Sequence, residues 1–275
     1  MKEIIKRLSK EFELSIEETE LLASRLLKRP RFEIYFRQDY DPMIDKSLRW
    51  KFALIKNGVP IEYITKQVQF LKYNLALYPG VFIPRLETEY FVEQICKLIE
   101  IKPQRICEIG TGCGAISIAL AEFFNETEII ATDICELSLH NAQENILKYN
   151  LEERIKLIRT DLFIPFKIGI FDLIVCNPPY IPRQRINTLP KSVRDFEPRK
   201  ALDGGEGGTE FIKKLIDQGR LYLRNSINIA LEIDEDEMEE LNSYLKERCK
   251  DYFFLRDLFG RIRYLFIGRF SKCRK

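Results

Sequence analysis

Short apolar segments alternate with amphipathic segments from about residue 87 onwards. In the amphipathic segments apolar residues recur every three or four positions, which is typical of helices that cover a sheet. We predict strands at residues 105–110, 128–134, 155–161, 171–177, 227–233, 252–258 and 262–270. We predict helices at residues 87–100, 114–124, 136–150, 209–223 and 235–248. Alternation of this kind indicates an α/β fold with a parallel sheet between two layers of helices.

The last two predicted strands are separated only by residues 259–261. A connection that short allows a hairpin but no crossover helix, because a crossover between parallel strands needs a dozen or more residues. We therefore expect a seven-stranded, mostly parallel sheet with one antiparallel strand near its edge. This sheet and its helices define a predicted domain over residues 87–275.

Two smaller regions precede that domain. Residues 1–65 have helical periodicity interrupted by prolines and predict a small helical bundle, with Ser15 starting a capping box and Trp50 packed inside. Residues 66–86 are rich in β-branched and aromatic residues. With turn signals at Asn74 and at Pro79-Gly80, they predict a β-hairpin linker.

The composition excludes several classes of protein. The 275 residues include 44 Lys and Arg against 42 Asp and Glu, a net charge of +2, so no general attraction to nucleic acid is expected. Seven cysteines without a CxxC pair and the single histidine, His140, provide no zinc-ligand spacing, so we expect no metal site. No apolar run reaches roughly 18 residues. We expect a soluble, cytoplasmic monomer without a membrane partner.

The first strand of the alternating region leads into a glycine-rich turn, EIGTGCGAISIAL. Gly110, Gly112 and Gly114 lie at the carboxyl end of a strand, where ligands bind in open α/β sheets. Asp133 ends the next strand, 19 residues after Gly114, where an acid can accept hydrogen bonds from ribose hydroxyls. A nicotinamide site is one alternative and a purely structural turn is another. The G-x-G-x-G spacing and the preceding Glu108 favour a cationic cofactor without a diphosphate.

This turn resembles motif I of S-adenosylmethionine-dependent methyltransferases of the Rossmann-like class I fold. The resemblance implies that Asp161, at the end of the third strand, lies near the adenine. A plain cap or turn role for Asp161 remains open.

The segment FDLIVCNPPYI ends a fourth strand on Asn177, Pro178, Pro179 and Tyr180. An amide nitrogen is a poor nucleophile because its lone pair is delocalised. The side-chain oxygen of Asn177 and the carbonyl of Pro178, aimed by the fixed φ of proline, could grip two N–H bonds of an acceptor NH2 group. Tyr180 could stack on a planar amide and align it for attack. We predict that Asn177, Pro178 and Tyr180 are catalytic, with a proline-stiffened turn as the alternative.

The tetrapeptide NPPY resembles motif IV of methyltransferases that act on planar nitrogens, and alone it does not choose between a base and a protein. Three further segments occur in order: VFIPRLETE (81–89), DLFIPF (161–166) and FEPRKALDGGEGG (196–208). As an ordered set over nearly the whole chain, these motifs resemble the HemK-type family, the protein-(glutamine-N5) methyltransferases of class I peptide chain release factors.

The resemblance implies methyl transfer from S-adenosyl-L-methionine to the glutamine in the Gly-Gly-Gln loop of release factors, leaving S-adenosyl-L-homocysteine. We further predict that the helical domain over residues 1–65 recognises the protein substrate. The implied cofactor contacts are Gly110, Thr111, Gly112, Cys113, Gly114, Asp133, Leu162 and Asn177. The implied substrate contacts are Asn177, Pro178, Pro179 and Tyr180, with Phe82, Pro84, Arg85 and Glu87 at the pocket mouth.

The chain departs from the family at two places, which do not touch the proposed chemistry. Leu86 replaces a usual proline, and RNSINIALEID lacks the usual glycine-containing turn. A ribosomal-protein glutamine methyltransferase, a nucleic-acid N-methyltransferase and an inactive cofactor-binding module remain as alternatives. FEPRKALDGG favours the release factor, and the low net charge disfavours nucleic acid. Basic residues after NPPY form either a partner-binding rim or a solvated loop: Arg183, Arg185, Lys191, Arg194, Arg199 and Lys200.

Overall fold

The structure is a computed structural model that describes residues 1–35, 41–224 and 228–271. Residues 36–40 of the predicted helical region and Ile227, the first residue of one predicted strand, lie outside the described residues. The chain divides into two compact units. The first comprises Met1–Gln67 and Pro190–Phe196, and the second comprises Val68–Leu189 and Glu197–Lys275.

The first unit consists of short helices around an apolar core. These helices are α1 (Lys2–Phe12), α2 (Ile16–Leu27), α3 (Pro42–Lys56) and α4 (Ile61–Thr65), with a 3₁₀ helix at Arg31–Tyr35 and one helical turn at Lys191–Arg194. Leu48 and Phe52 of α3 are buried one turn apart on the same face. Trp50 lies between them in sequence and therefore on the opposite face, where it is 62% exposed. The prediction that Trp50 packs inside the bundle is wrong for this reason.

The predicted capping box at the start of α2 is confirmed. The Ser15 hydroxyl accepts a hydrogen bond from the backbone of Glu18 at 3.1 Å, and the Glu18 carboxylate accepts one from the Ser15 backbone at 2.8 Å. These two bonds satisfy backbone donors that the first turn of a helix leaves unpaired.

A two-stranded sheet of β1 (Gln67–Phe70) and β2 (Tyr73–Ala76) follows the first helices. The connection is made by Leu71 and Lys72, with Leu71 in the left-handed region at φ 50°. Asn74 therefore lies inside a strand, whereas its side chain predicted a turn there.

Seven described strands of the second unit form one sheet in the order β5-β4-β3-β6-β7-β9-β8. The strands are β3 (Arg105–Ile109), β4 (Glu128–Asp133), β5 (Ile155–Arg159), β6 (Leu173–Cys176), β7 (Asn228–Glu232), β8 (Tyr252–Arg256) and β9 (Ile262–Gly268). Strand β9 runs antiparallel to β7 and β8, and the other pairs are parallel. The predicted α/β architecture is confirmed.

Helices connect the strands of this sheet. They are α5 (Leu86–Leu98), α6 (Ala115–Phe123), α7 (Glu136–Lys148), α8 (Glu210–Tyr222) and α9 (Met238–Lys246). The apolar residues of β6 and β7 are fully buried, which explains their unbroken hydrophobic runs. None of the helices in the described ranges combines the length and apolar character that a membrane crossing requires.

The order of the strands places three chain segments side by side. Ile109 of β3 pairs with Cys176 of β6, and Cys176 pairs with Leu231 of β7. The strands β3 and β6 are neighbours in the sheet but not in sequence, so a crevice forms outside their carboxyl ends. The glycine turn after β3 and Asn177 after β6 therefore emerge next to each other.

Candidate active site

The glycine turn after β3 has three residues in the left-handed region, Gly110, Gly112 and Gly114, with φ values of 74°, 58° and 85°. A Cβ at Gly110 or Gly112 would meet no atom within 4 Å. A Cβ at Gly114 would lie 3.3 Å from the Cβ of Ala142. The first two glycines therefore leave the turn open to a ligand, whereas the third allows α6 to approach α7 closely.

Asp133, at the end of β4, lies beside the glycine turn. Its carboxylate accepts hydrogen bonds from the backbone N–H groups of Gly112 at 3.0 Å and Cys135 at 2.8 Å. Burial raises the pKa of Asp133 above its ordinary value, although these backbone donors act in the opposite direction. The predicted ribose acceptor is thus adjacent to the turn, and it also fixes the backbone of that turn.

Glu108, on β3, is buried below the turn. Its Oε2 atom accepts hydrogen bonds from the hydroxyls of Thr111, at 2.8 Å, and Ser117. Its Oε1 atom has no hydrogen-bond partner within the described ranges. Burial raises the pKa of Glu108 to about 7, and the two hydroxyls partly counter that rise. A buried carboxyl group with one unpartnered oxygen is suited to a cationic ligand.

The segment after β6 meets α5 and β7 in a buried chain of polar groups. Asn177 donates from Nδ2 to the Thr88 hydroxyl at 3.2 Å, and Thr88 donates to Oε2 of Glu232 at 2.7 Å. The Tyr180 hydroxyl lies 3.5 Å from Oε1 of Glu232. Burial and the Glu232 carboxyl raise the pKa of Tyr180, so its phenol is neutral at physiological pH. The Glu232 carboxyl group thereby contacts Tyr180 directly and is linked to Asn177 through Thr88.

The glycines of the segment FEPRKALDGGEGG hold the backbone of Tyr180. Ile181 donates to the carbonyl of Leu202 and accepts from the N–H of Gly204, both at 2.9 Å. A Cβ at Gly204 would lie 2.8 Å from the Tyr180 backbone, and one at Gly208 would lie 2.4 Å from the Tyr180 carbonyl oxygen. Only glycine permits this close approach, which orients Tyr180 without a side-chain contact.

The predicted pocket-mouth residues Phe82 and Arg85 are in contact. The Arg85 guanidinium lies 5.2 Å from the centroid of the Phe82 ring and forms an ion pair with Glu197. The Glu197 side chain is only 1% exposed, whereas that of Arg85 is 34% exposed. The ion pair therefore fixes Arg85 while leaving part of its surface accessible.

The other predicted site residues have distinct environments. Leu162 is buried and adopts a left-handed φ of 53°. The carbonyl of Cys113 accepts a hydrogen bond from Asn145 at 2.9 Å. Asp161 lies beyond the end of β5 and is 3.6 Å from the Lys214 ammonium group. Pro178 is buried, and Pro179 and Tyr180 are partly exposed.

Several of the basic residues after NPPY are ion-paired in the structure. Arg183 and Arg199 contact Asp203, and Arg185 contacts Asp236. In the first unit Arg194 contacts Asp195. These acidic partners offset much of the positive charge that the sequence suggested. No three His, Cys, Asp or Glu side chains in the described part of the chain are grouped so that they could hold a metal ion.

Comparison with known proteins identifies the family. A family model described as the Methyltransferase small domain matches residues 79–193. The release factor glutamine methyltransferase of Clostridium botulinum is 36% identical over 253 residues, which cover 90% of this chain and 89% of the relative. The MTRF1L release factor glutamine methyltransferase of Homo sapiens is 34% identical over 230 residues, which cover 77% and 68%. The chain belongs to the release factor glutamine methyltransferase family.

A solved structure agrees with the fold of this family member. The hMettl16 catalytic domain in complex with MAT2A 3'UTR hairpin 6 aligns with a TM-score of 0.55 and 20% sequence identity, covering 79% of this chain and 81% of that one. At this identity the likeness concerns the fold alone. The chain therefore shares the α/β fold of that structure, and its family makes it a methyltransferase.

The candidate site of this family member has the features required to bind a methyl donor with a cationic sulfur. The turn at Gly110 and Gly112 has room for a ligand against its backbone. Glu108 and Asp133 each place a carboxyl group next to the turn. The methyl donor has no phosphate group, so the site needs no cluster of basic residues to bind one. The residues present therefore fit the cofactor that the family implies.

Sequence reasoning missed four residues that shape the site of this family member: Thr88, Glu197, Gly204 and Glu232. All four lie inside motifs or strands that the sequence analysis predicts, so their positions in the sequence already indicated a place near the site. A buried carboxyl at the end of an apolar strand, as at Glu232, is itself a sign of a functional site. Which groups those side chains contact depends on the strand order, which the local pattern does not contain.

Proposed function

We propose that the protein transfers a methyl group from S-adenosyl-L-methionine to the side-chain nitrogen of the glutamine in the Gly-Gly-Gln loop of class I peptide chain release factors. The relatives at 36% and 34% identity carry the name of this activity. The observation that supports it most strongly is the orientation of Asn177. Its NH2 group is held by Thr88, and no described residue donates to its Oδ1 atom.

Asn177 and Pro178 act as acceptors for the substrate amide. In the proposed complex the Asn177 side-chain oxygen and the Pro178 carbonyl each accept one N–H of the glutamine NH2 group. Tyr180 stacks on the plane of the amide and restricts its rotation. These contacts hold the nitrogen lone pair in line with the bond that breaks, and such positioning can supply a large part of a rate enhancement.

The cofactor site lies on the other side of the same crevice. When bound, S-adenosyl-L-methionine supplies an electrophilic methyl group on a cationic sulfur and becomes S-adenosyl-L-homocysteine. Glu108, Asp133 and the Gly110–Gly114 turn bind it, with Thr111 and Cys113 as parts of that turn and Leu162 as an apolar wall. The substrate nitrogen can release its proton to solvent after transfer, so no residue must act as a base beforehand.

Methyl transfer to a purified class I release factor tests the proposal directly. We expect radiolabelled methyl groups to appear on the wild-type release factor and not on its Gln→Ala loop variant. Asn177→Ala should lower kcat by at least about 100-fold, because one of two acceptors for the NH2 group is lost. Gln184→Ala removes an exposed amide seven residues further along and should leave the rate unchanged.

The same assay separates the alternative functions. Ribosomal proteins and nucleic acid are offered to the enzyme in parallel with the release factor. Labelling of a ribosomal-protein glutamine, or of nucleic acid, without labelling of the release factor would overturn the proposed substrate. An Asn177→Ala variant with the wild-type rate would overturn the proposed role of the amide.

We also propose that the first unit, which includes the predicted domain 1–65, recognises the protein substrate beyond its loop. Met43 and Trp50 lie two turns apart on α3 and are 81% and 62% exposed. The double variant Met43→Ala/Trp50→Ala should raise KM for an intact release factor several-fold and leave KM for a short Gly-Gly-Gln peptide unchanged. Phe259→Ala, which removes an exposed aromatic side chain from the second unit, is the control. Equal effects on both substrates would contradict the proposal.

A further inference from the structure

Asn177 is connected to a buried carboxyl group through a single hydroxyl. Thr88 lies in the first turn of α5, and Glu232 is the last residue of β7. The pairing of Cys176 with Leu231 brings Asn177 and Glu232 to neighbouring positions, one residue beyond that pair. The Thr88 hydroxyl bridges them, at 3.2 Å from Asn177 and 2.7 Å from Glu232.

The burial of this bridge determines the direction of its hydrogen bonds. Thr88 is 3% exposed and Glu232 is 1% exposed, so each polar atom must find its partner within the protein. Burial raises the pKa of Glu232 to about 7. Above that pH the ionised carboxylate only accepts hydrogen bonds, so the Thr88 hydroxyl donates to Glu232. The remaining lone pairs of that hydroxyl can then only accept. Asn177 must therefore present its NH2 group to Thr88.

This direction matters because the two ends of an asparagine amide are nearly equal in shape and opposite in hydrogen bonding. With NH2 towards Thr88, the Oδ1 atom of Asn177 faces the side where an acceptor is needed. A flipped amide would oppose one NH2 group to another. We propose that Thr88 and Glu232 are positioning residues that fix the amide orientation of Asn177 for the NH2 group of the substrate.

The groups around Glu232 agree with this role. Burial and the nearby Glu87 raise the pKa of Glu232, whereas the hydrogen bond from Thr88 and the positive charge of Arg263 favour its ionised form. Tyr180 contacts the second oxygen of Glu232 and also favours ionisation. The same carboxylate therefore supports Asn177 through Thr88 and contacts Tyr180 directly. The inference rests on the proposed amide substrate and adds two residues that do not touch that substrate.

A matched pair of variants at position 88 tests the relay. Thr88→Val keeps the shape and removes the hydroxyl, whereas Thr88→Ser keeps the hydroxyl. We expect Thr88→Val to lower kcat for release factor about 10- to 100-fold, with cofactor affinity and thermal midpoint near those of the wild type. Thr88→Ser should retain at least about one third of the wild-type kcat. These outcomes separate a hydrogen-bond role from a packing role.

A second position makes the test independent of any one variant. Glu232→Gln can still accept from Thr88 through its carbonyl and should retain more activity than Glu232→Met. Because both residues act through Asn177, the double variant Thr88→Val/Glu232→Met should lose no more than about 3-fold beyond the more impaired single variant, where independent roles would multiply. A Thr88→Val enzyme with full kcat, or multiplicative losses, would overturn the inference. An inactive wild-type enzyme would instead refute the proposed function.

Discussion

Glu108 shows how burial prepares one residue for a charged ligand. Its raised pKa, about 7, results from burial, and the nearby Asp133 carboxyl adds to it. The hydroxyls of Thr111 and Ser117 stabilise the ionised form through Oε2 only. A cation near Oε1 would complete this environment and favour loss of the proton. Proton release and cofactor binding are therefore expected to be linked.

This linkage predicts a pH-dependent cofactor affinity. Below pH 7 Glu108 holds its proton in the free protein, so binding must release it and the affinity falls. From pH 6 to pH 8 the affinity for S-adenosyl-L-methionine should rise, and Glu108→Gln should bind about 10-fold more weakly at pH 8 with a smaller slope. Calorimetry at three pH values measures both effects. The control is Glu126→Gln, which replaces an exposed acid paired with Lys102. A Glu108→Gln variant with the wild-type cofactor affinity and pH dependence would contradict the linkage.

At the same scale, the sequence predicted residues whose role follows from local pattern. The glycines of the turn and the capping pair of Ser15 and Glu18 are of this kind. Trp50 was misplaced because its environment depends on the face of α3 that meets the core. Glu232 and its contact with Thr88 were missed because that contact joins residues 144 positions apart. The residues that surround a motif are therefore harder to predict than the motif itself.

At the scale of elements, α7 ties the hairpin to the cofactor turn. Asn145 accepts from the backbone N–H of Ala76 at 2.7 Å and donates to the carbonyls of Ala76 and Cys113, both at 2.9 Å. Asn141, one turn earlier, accepts from Tyr78 and donates to Ala76. Both residues hold the hairpin segment against α7, but only Asn145 also reaches the glycine turn.

This difference predicts distinct effects of two similar substitutions. Asn145→Ala and Asn141→Ala should each lower the free energy of unfolding by about 1–3 kcal/mol, because buried backbone groups lose their partners. Only Asn145→Ala should also weaken cofactor binding, by about 5- to 10-fold, since the Cys113 carbonyl is released. Urea unfolding and calorimetric titration measure the two quantities. Equal cofactor affinities in the two variants would show that the bond to Cys113 does not stabilise the turn.

The strands and helices of the sheet domain were predictable because short apolar segments indicate buried strands and apolar residues every three or four positions indicate helices. The hairpin connection was not, since Leu71 and Lys72 are ordinary residues and Leu71 adopts a left-handed φ without a glycine or asparagine signal. Local sequence thus predicts the elements better than the turns that join them.

At the scale of the whole molecule, the first unit is discontinuous in sequence. Pro190–Phe196 belongs with Met1–Gln67, and the aliphatic part of Lys191 lies 3.2 Å from the position of a Cβ on Gly58. No local pattern predicts that association, because it joins segments more than 120 residues apart in the chain. The fold class and family followed from the order of the motifs. The predicted boundaries at residues 65 and 86 stay a prediction.

Three buried carboxyl groups of the second unit have strongly raised pKa values, which determine how the stability changes with pH. Burial raises the pKa of Glu108 and Glu232 to about 7 and that of Glu237 to about 8. Unfolding returns each group to its ordinary value of 4.5, so the unfolded chain ionises first as the pH rises. The stabilisation is complete below pH 4.5 and is lost as the pH rises through 7 to 8. Paired surface acids such as Asp203 and Glu240 have lowered pKa values. They therefore change the stability only at more acidic pH, where they gain protons.

The protein without cofactor should therefore be less stable to urea at pH 8 than at pH 5.5. Glu237→Gln should reduce that difference by on the order of 2–4 kcal/mol, because the neutral amide keeps an oxygen for the Asp234 backbone N–H and has no charge to bury. Glu239→Gln, an exposed acid two residues away, should leave the difference unchanged. Because the stabilisation by Glu237→Gln should be clearly larger at pH 8 than at pH 5.5, equal stabilisation at both pH values would attribute its effect to packing instead of ionisation.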